Sequence, residues 1–145
     1  MDGIDGAILR ELQEDGRVTM AELGAKLGIA PSTAFKRIEK LKATGIIERF
    51  TIVINQSHFE HMIVAFLNVR VDSDAKPEVE RFLRSLPHVV EVYEVLEPGD
   101  FIAKAQVHSI TELKRDVLIP LSGVAGVRDL QTVLSVKRVK EKAFA

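Results

Sequence analysis

The chain has 145 residues, 46% of them hydrophobic and 28% charged, with 20 Lys+Arg against 21 Asp+Glu and a formal net charge of −1. That is apolar material for one ordinary domain or two small ones, and it excludes a disordered chain. The absence of Cys excludes a disulfide scaffold, a cysteine-ligated zinc site and a thiol nucleophile, and the absence of Trp beside a single Tyr argues against an aromatic stacking platform.

The N-terminus mixes acids with apolar residues and lacks the basic and apolar blocks of a signal peptide. No apolar run approaches the roughly 20 residues that span a bilayer. The expectation is a cytoplasmic protein with no membrane partner.

Ile4, Ile8 and Leu12 recur every four residues and predict a first helix, capped by Asp2, with Asp5 in its first turn and Gly16 as its stop. Thr19 and Glu22 have capping-box spacing and open a second helix that buries Met20, Leu23 and Leu27 and ends at Gly28. Pro31 suits the first position of a third helix, running to about Thr44, with Ala34, Phe35, Ile38 and Leu41 as its apolar stripe. Ala30 is a poor cap for it, and Gly45 ends it. Residues 49–54, Arg-Phe-Thr-Ile-Val-Ile, read as a strand.

From about His61 the period changes. Residues 62–71 are β-rich, 77–86 read as a helix, and 89–96 read as a second strand. Pro98-Gly99-Asp100 is the strongest turn signal. Ala103, Ala105 and Val107 alternate with Lys104, Gln106 and His108, as in a half-buried strand. Ser109 to Glu112 has capping-box spacing and opens a helix through Leu121, and residues 127–139 read as a long last strand. Two split β-α-β units make a ferredoxin-like βαββαβ domain with an antiparallel sheet. The fold class is therefore α+β, with residues 1–49 a helical unit, 50–60 a strand and linker, and 61–145 the ferredoxin-like unit.

The whole-chain charge hides an asymmetry. Residues 1–25 carry two basic residues against six acids, a net of −4, and residues 26–49 carry six basic residues against two acids, a net of +4. The basic segment is the third helix and its flanks. A short helix, a turn of about three residues and a longer basic helix is helix-turn-helix organisation. Lys and Arg for phosphates, with short polar side chains at the helix start for base edges, suit a DNA-reading helix. The same residues also suit an ordinary solvated helix face.

The order of these features resembles the Lrp/AsnC (feast/famine) transcriptional regulators along nearly the whole chain. The matching residues begin with Ile4-Asp5, Ile8-Leu9, Leu12, Asp15-Gly16-Arg17, Glu22-Leu23 and Leu27-Gly28. Pro31-Ser32-Thr33, Arg37-Ile38, Leu41 and Gly45-Ile46-Ile47 complete a winged helix-turn-helix. Val90 to Glu94, Gly99-Asp100-Phe101, Pro120-Leu121 and Gly126-Val127 fall in the order of the family's ligand-sensing domain.

The resemblance implies double-stranded DNA as partner, a dimer that in many members assembles further into tetramers or octamers, and a pseudopalindromic operator with half-sites about one helical turn, or a multiple of it, apart. The last strand and the strand at 62–71 are the candidates for dimer pairing. Ser32, Thr33, Lys36 and Arg37 match recognition-helix positions, with Lys36 and Arg37 assigned to phosphate or guanine and Lys40 to phosphate or solvent. The effector loop would be residues 97–102, with Gly99, Asp100, Phe101 and Ile102 beside the ligand and Leu130 and Thr132 facing the same pocket. Many members carry an acid where this chain has Ile102, and isoleucine cannot pair with an ammonium group. An amino acid or another small effector is the implied ligand. Gly99-Asp100 has a second reading, as a tight turn between two strands.

No catalytic residue, metal or cofactor is expected. His58 and His61 have i, i+3 spacing, which suits a metal only on a helix, and they read better as part of the domain junction. Two alternatives share the architecture or its charge pattern: a siroheme-type decarboxylase, whose His and Tyr context is absent from this sequence, and an architectural protein that binds DNA with little sequence preference.

Overall fold

The computed structural model describes residues 1–96 and 99–144. Glu97 and Pro98, which open the predicted effector loop, lie outside the described residues. Contacts divide the chain into residues 1–54 with the chain end from residue 141, and residues 55–140.

The first unit is built from α1 (Gly3–Glu14), α2 (Met20–Leu27) and α3 (Pro31–Ala43). Asp2 Oδ1 accepts from the Asp5 N–H at 2.9 Å while Asp5 Oδ2 accepts from the Asp2 N–H at 3.1 Å. Thr19 Oγ1 accepts from the Glu22 N–H at 3.1 Å and Glu22 Oε2 from the Thr19 N–H at 2.8 Å. Each box satisfies two donors that a bare helix start would leave unpaired. α3 starts on Pro31 and has no side-chain cap, as Ala30 dictates. A Cβ on Gly24 would lie 2.5 Å from the Ile29 carbonyl oxygen and 3.4 Å from the Pro31 nitrogen, so the turn from α2 to α3 closes against bare backbone.

Ile8, Val18, Leu23, Ala34, Ile38 and Leu41 form the core of this unit. Phe35 is not among them. It is 55% exposed, although it reads as part of the apolar stripe. Ala34, Ile38 and Leu41 share one helix face, and one residue step turns Phe35 about 100° away from it.

The strand expected at residues 49–54 is not formed. β-rich composition becomes a strand only beside a neighbour's backbone, and the sheet of the second unit is assembled from other segments. Phe50, Ile52 and Val53 are left exposed, Ile52 by 78%.

The second unit runs β1 (Ile63–Val71), α4 (Lys76–Ser85), β2 (Val89–Glu94), β3 (Phe101–Val107), a helical run α5 over residues 110–122, and β4 (Val127–Ser135). The sheet order is β2-β3-β1-β4, and every neighbouring pair is antiparallel, the ferredoxin-like arrangement. Alternate residues Ala65, Leu67, Val69 and Val71 of β1 and Phe101, Ala103, Ala105 and Val107 of β3 pack against Val79 and Leu83 of α4 and Leu113, Val117 and Leu121 of α5. Both helices therefore cover one face. The other face exposes Phe66, Tyr93 and Val133.

Two expectations change here, and a third reading, of His58 and His61 as part of the domain junction, fits the structure. β4 stops at Ser135 because its partner β1 begins at Ile63 and the register pairs Val64 with Ser135, so residues 136–139 have no strand to lie beside. β1 is an interior strand paired on both edges, so it has no edge to offer a second copy. His58 ends a 3-10 turn and His61 sits at φ 66, so the pair does not share a helix.

α5 also has an unpredicted irregularity. Lys114–Leu118 is a π-helical segment, with the Ile119 N–H donating to the Lys114 carbonyl. Pro120 lies just beyond. It lacks an N–H and crowds the carbonyl four residues back, and a wider turn relieves both problems. Among the described residues, no helix is long and apolar enough to cross a membrane.

Candidate nucleic-acid interface

α3 presents Ser32, Phe35, Lys36 and Lys40 on its exposed side, with Thr33 and Arg37 half-buried at the flank. Its buried side is fixed by Ala34, Ile38 and Leu41 in the core. The structure thus brings four of the five predicted residues, Ser32, Thr33, Lys36 and Lys40, onto or beside one open face, and adds Phe35.

Arg37 stands apart. Its NH1 donates to Asp2 Oδ1 at 2.9 Å, to Asp2 Oδ2 at 2.7 Å and to Asp5 Oδ1 at 3.1 Å. The Arg37 guanidinium, followed by the Asp5 N–H, holds the Asp2 carboxyl at about 2 against its ordinary 3.8. The two acids in turn raise the Arg37 pKa. Asp2 and Asp5 therefore do two jobs: they cap α1 and pin α3 to it. Sequence reading found the caps but missed the second job, since no local signal links residues 32 and 35 positions apart.

Other cations of the basic segment are also engaged. Lys26 Nζ lies 2.6 Å from Glu11 Oε2, and Lys42 Nζ lies 3.0 Å from Glu39 Oε1. Among the described residues, Lys36, Lys40 and Arg49 have no ion-pair partner, which leaves two lysines on the open face of α3 to meet an anion.

The second predicted site lies at the end of the sheet. Asp100 Oδ2 accepts from the Val71 N–H at 2.8 Å, and the Asp100 N–H donates to the Val69 carbonyl at 2.9 Å. Lys76 Nζ stands 3.6 Å from both Asp100 Oδ1 and Glu94 Oε1. A Cβ on Gly99 would overlap Asn68 Oδ1 and lie 3.2 Å from the Val69 carbonyl oxygen, so this position admits only glycine without a shift. Asn68 Oδ1 is buried with no hydrogen-bond partner among the described residues.

The remaining predicted effector residues divide. Phe101 is 2% exposed and belongs to the core. Ile102 pairs with Asn68 and Tyr93 on the uncovered face. Leu130 and Thr132 stand opposite Val69 and Leu67, whose side chains face the helices. Within one chain, Gly99 and Asp100 come together with β1, while Ile102 is separated from Leu130 and Thr132 by the thickness of the sheet.

A family model for winged helix-turn-helix DNA-binding matches residues 1–48, and one for the Lrp/AsnC ligand binding domain matches residues 64–143. The HTH-type transcriptional regulator FL11 of Pyrococcus furiosus is 33% identical over 141 residues, covering 97% of this chain and 93% of that protein. The leucine-responsive regulatory protein of Rhizobium meliloti is 30% identical over 144 residues, covering 97% of this chain and 92% of that protein. The solved structure of a transcriptional regulator of Neisseria meningitidis in complex with L-Met superposes with a TM-score of 0.84 at 24% identity, over 99% of this chain and 94% of that one.

Proposed function

This chain belongs to the Lrp/AsnC family and is a DNA-binding transcriptional regulator, and from that premise we propose that it works in the cytoplasm by binding rather than catalysis, as a dimer or higher oligomer on pseudopalindromic operators. The observation that carries this reading is the open face of α3. Lys36 and Lys40 contact phosphates, and Ser32, Thr33 and Phe35 approach base edges, Phe35 being suited to a thymine methyl. Arg37 holds the helix at its angle.

Two lysines per protomer are a small footprint, so a second protomer is needed to raise affinity. The uncovered sheet face with Phe66, Tyr93 and Val133, and the exposed apolar residues of the 49–54 segment, supply surface for that second copy.

A small effector, most simply an amino acid, is proposed at the Gly99–Asp100 loop. Asn68 Oδ1, buried beside Gly99 and without a hydrogen-bond partner among the described residues, would accept from a ligand N–H. The solved relative holding L-Met supports an amino acid as the class. Because Ile102 stands apart from Leu130 and Thr132, the pocket requires a second chain to bring them together.

The test is selection of bound sequences from random DNA, with and without each of the twenty amino acids. An enriched palindrome is the expected result. Binding without an enriched motif would replace the operator reading with nonspecific DNA coating. Calorimetry with the same amino acids that gives no heat at millimolar ligand would remove the effector.

A further inference from the structure

His88, Glu112 and Asp116 converge beside α5 in the second unit, and none of them belongs to either site above. His88 lies in the turn between α4 and β2, and its carbonyl accepts from the Gln106 N–H at 2.8 Å, which fixes that turn to β3. Glu112 and Asp116 stand four residues apart on α5 and so share a face. His88 Nε2 is 3.4 Å from Glu112 Oε1 and 3.5 Å from Asp116 Oδ2, and one donor atom from each of the three lies within 4.8 Å of the others.

These distances leave room for an ion among the three groups. They are ion-pair contacts, longer than the roughly 2.7–3.2 Å of a close N–H···O hydrogen bond. Two ligands on one tetrahedral zinc ion, with metal–donor bonds of about 2.0–2.1 Å, stand about 3.4 Å apart. Both His88 edges have that length.

The carboxylates are also held as ligands usually are. Glu112 Oε2 accepts from the His108 N–H at 2.5 Å, which leaves Oε1 turned toward His88. Arg115 Nε and NH2 donate to Asp116 Oδ1 and Oδ2, each at 2.8 Å, so Arg115 must release Oδ2 for that oxygen to reach a metal. Such outer partners orient metal ligands. All three side chains are half-buried, so an ion can enter without unfolding the helix.

We propose that His88, Glu112 and Asp116 form a site for a divalent transition-metal ion of the Zn2+ class, with three protein ligands and an open position for water. One imidazole with two carboxylates suits Zn2+ and its neighbours better than Mg2+, which prefers oxygen alone. Arg115 stays on Oδ1 while Oδ2 turns to the metal. The bound ion clamps the α4–β2 turn to α5, so it stabilises the second unit by mass action.

The test uses the full chain, stripped with a chelator and titrated with Zn2+ by calorimetry, with Co2+ absorption as the probe of geometry. The expected result is one ion per chain, the intense visible bands of four-coordinate Co2+, and a melting temperature raised by several degrees, on the order expected for ligand at a hundredfold excess over Kd. H88Q and E112Q should each lose at least about a hundredfold in Zn2+ affinity, as befits a ligand when outer-shell changes alone cost ten- to a hundredfold. Glutamine keeps an acceptor for the His108 N–H, and neither His88 nor Glu112 belongs to the core, so both variants should melt close to the parent without metal. H58Q/H61Q should bind Zn2+ as the parent does. No binding at 100 µM Zn2+ (about 10⁻⁴ M, far above any useful site), or binding that survives both H88Q and E112Q, overturns the proposal.

Discussion

The charge assignment on α3 makes Lys36 and Arg37 behave differently, although they are adjacent. Lys36 is exposed without an ion-pair partner among the described residues, whereas Arg37 is held by Asp2 and Asp5. Each lysine neutralising a phosphate contributes about 0.9 to the steepness of log K against log salt. The proposed dimer carries two copies, so Lys36→Ala should flatten that slope by about 1.8. Between 50 and 200 mM salt this means that its affinity deficit relative to the parent shrinks about twelvefold. Arg37→Ala should leave the slope unchanged and instead lower the melting temperature of the helix-turn-helix unit, weakening DNA binding by loosening α3. The assay is fluorescence anisotropy on a selected operator across a salt series, paired with thermal melts of both variants. If Arg37→Ala flattens the slope as Lys36→Ala does and melts like the parent, Arg37 is a phosphate ligand and the ion pair with α1 does not govern it.

Two further outcomes test local chemistry. Asp2 is held at about 2 in the folded chain against its ordinary 3.8, so its ion pair stabilises fully above about pH 4 and is lost as pH falls toward 2. Asn caps a helix as well as Asp does, so Asp2→Asn isolates the charge: it should melt below the parent at pH 6, the gap narrowing between pH 4 and 2 and closing below that. A gap at pH 2 as wide as the gap at pH 6 would mean that the cap, rather than the ion pair, had been damaged. At the effector loop, Gly99→Ala should cost about 1–3 kcal/mol because its Cβ meets Asn68 and the Val69 carbonyl. Asn68→Ala should recover part of that loss, the coupling falling in the range of about 0.5–3 kcal/mol for contacting residues, and strictly additive melts would show that the two do not touch.

What could be read from the sequence was what local chemistry decides. The caps at Asp2 and Thr19, the Pro31 start and the alternation of Ala103, Ala105 and Val107 all depend on residues within a few positions, and all take the predicted form. The misses share one cause, a partner distant in the chain. Residues 49–54 have β-forming composition but join no strand of the sheet, and β4 ends where β1 runs out. Glu112 and Asp116 are visible as an i, i+4 pair, yet His88 joins them only through the turn before β2.

The charge asymmetry was legible in size but not in meaning. The net −4 of residues 1–25 and the net +4 of residues 26–49 are not independent surfaces, because Asp2 and Asp5 pair with Arg37 and Glu11 pairs with Lys26. Formal charge summed along a segment counts these cations, whereas a phosphate competes only easily for those not already engaged. The acidic helix thus lowers the electrostatic footprint of the basic one while fixing its position. In the dimer proposed above, affinity would then depend on symmetry, since a second α3 would double the phosphate contacts without adding charge to either chain.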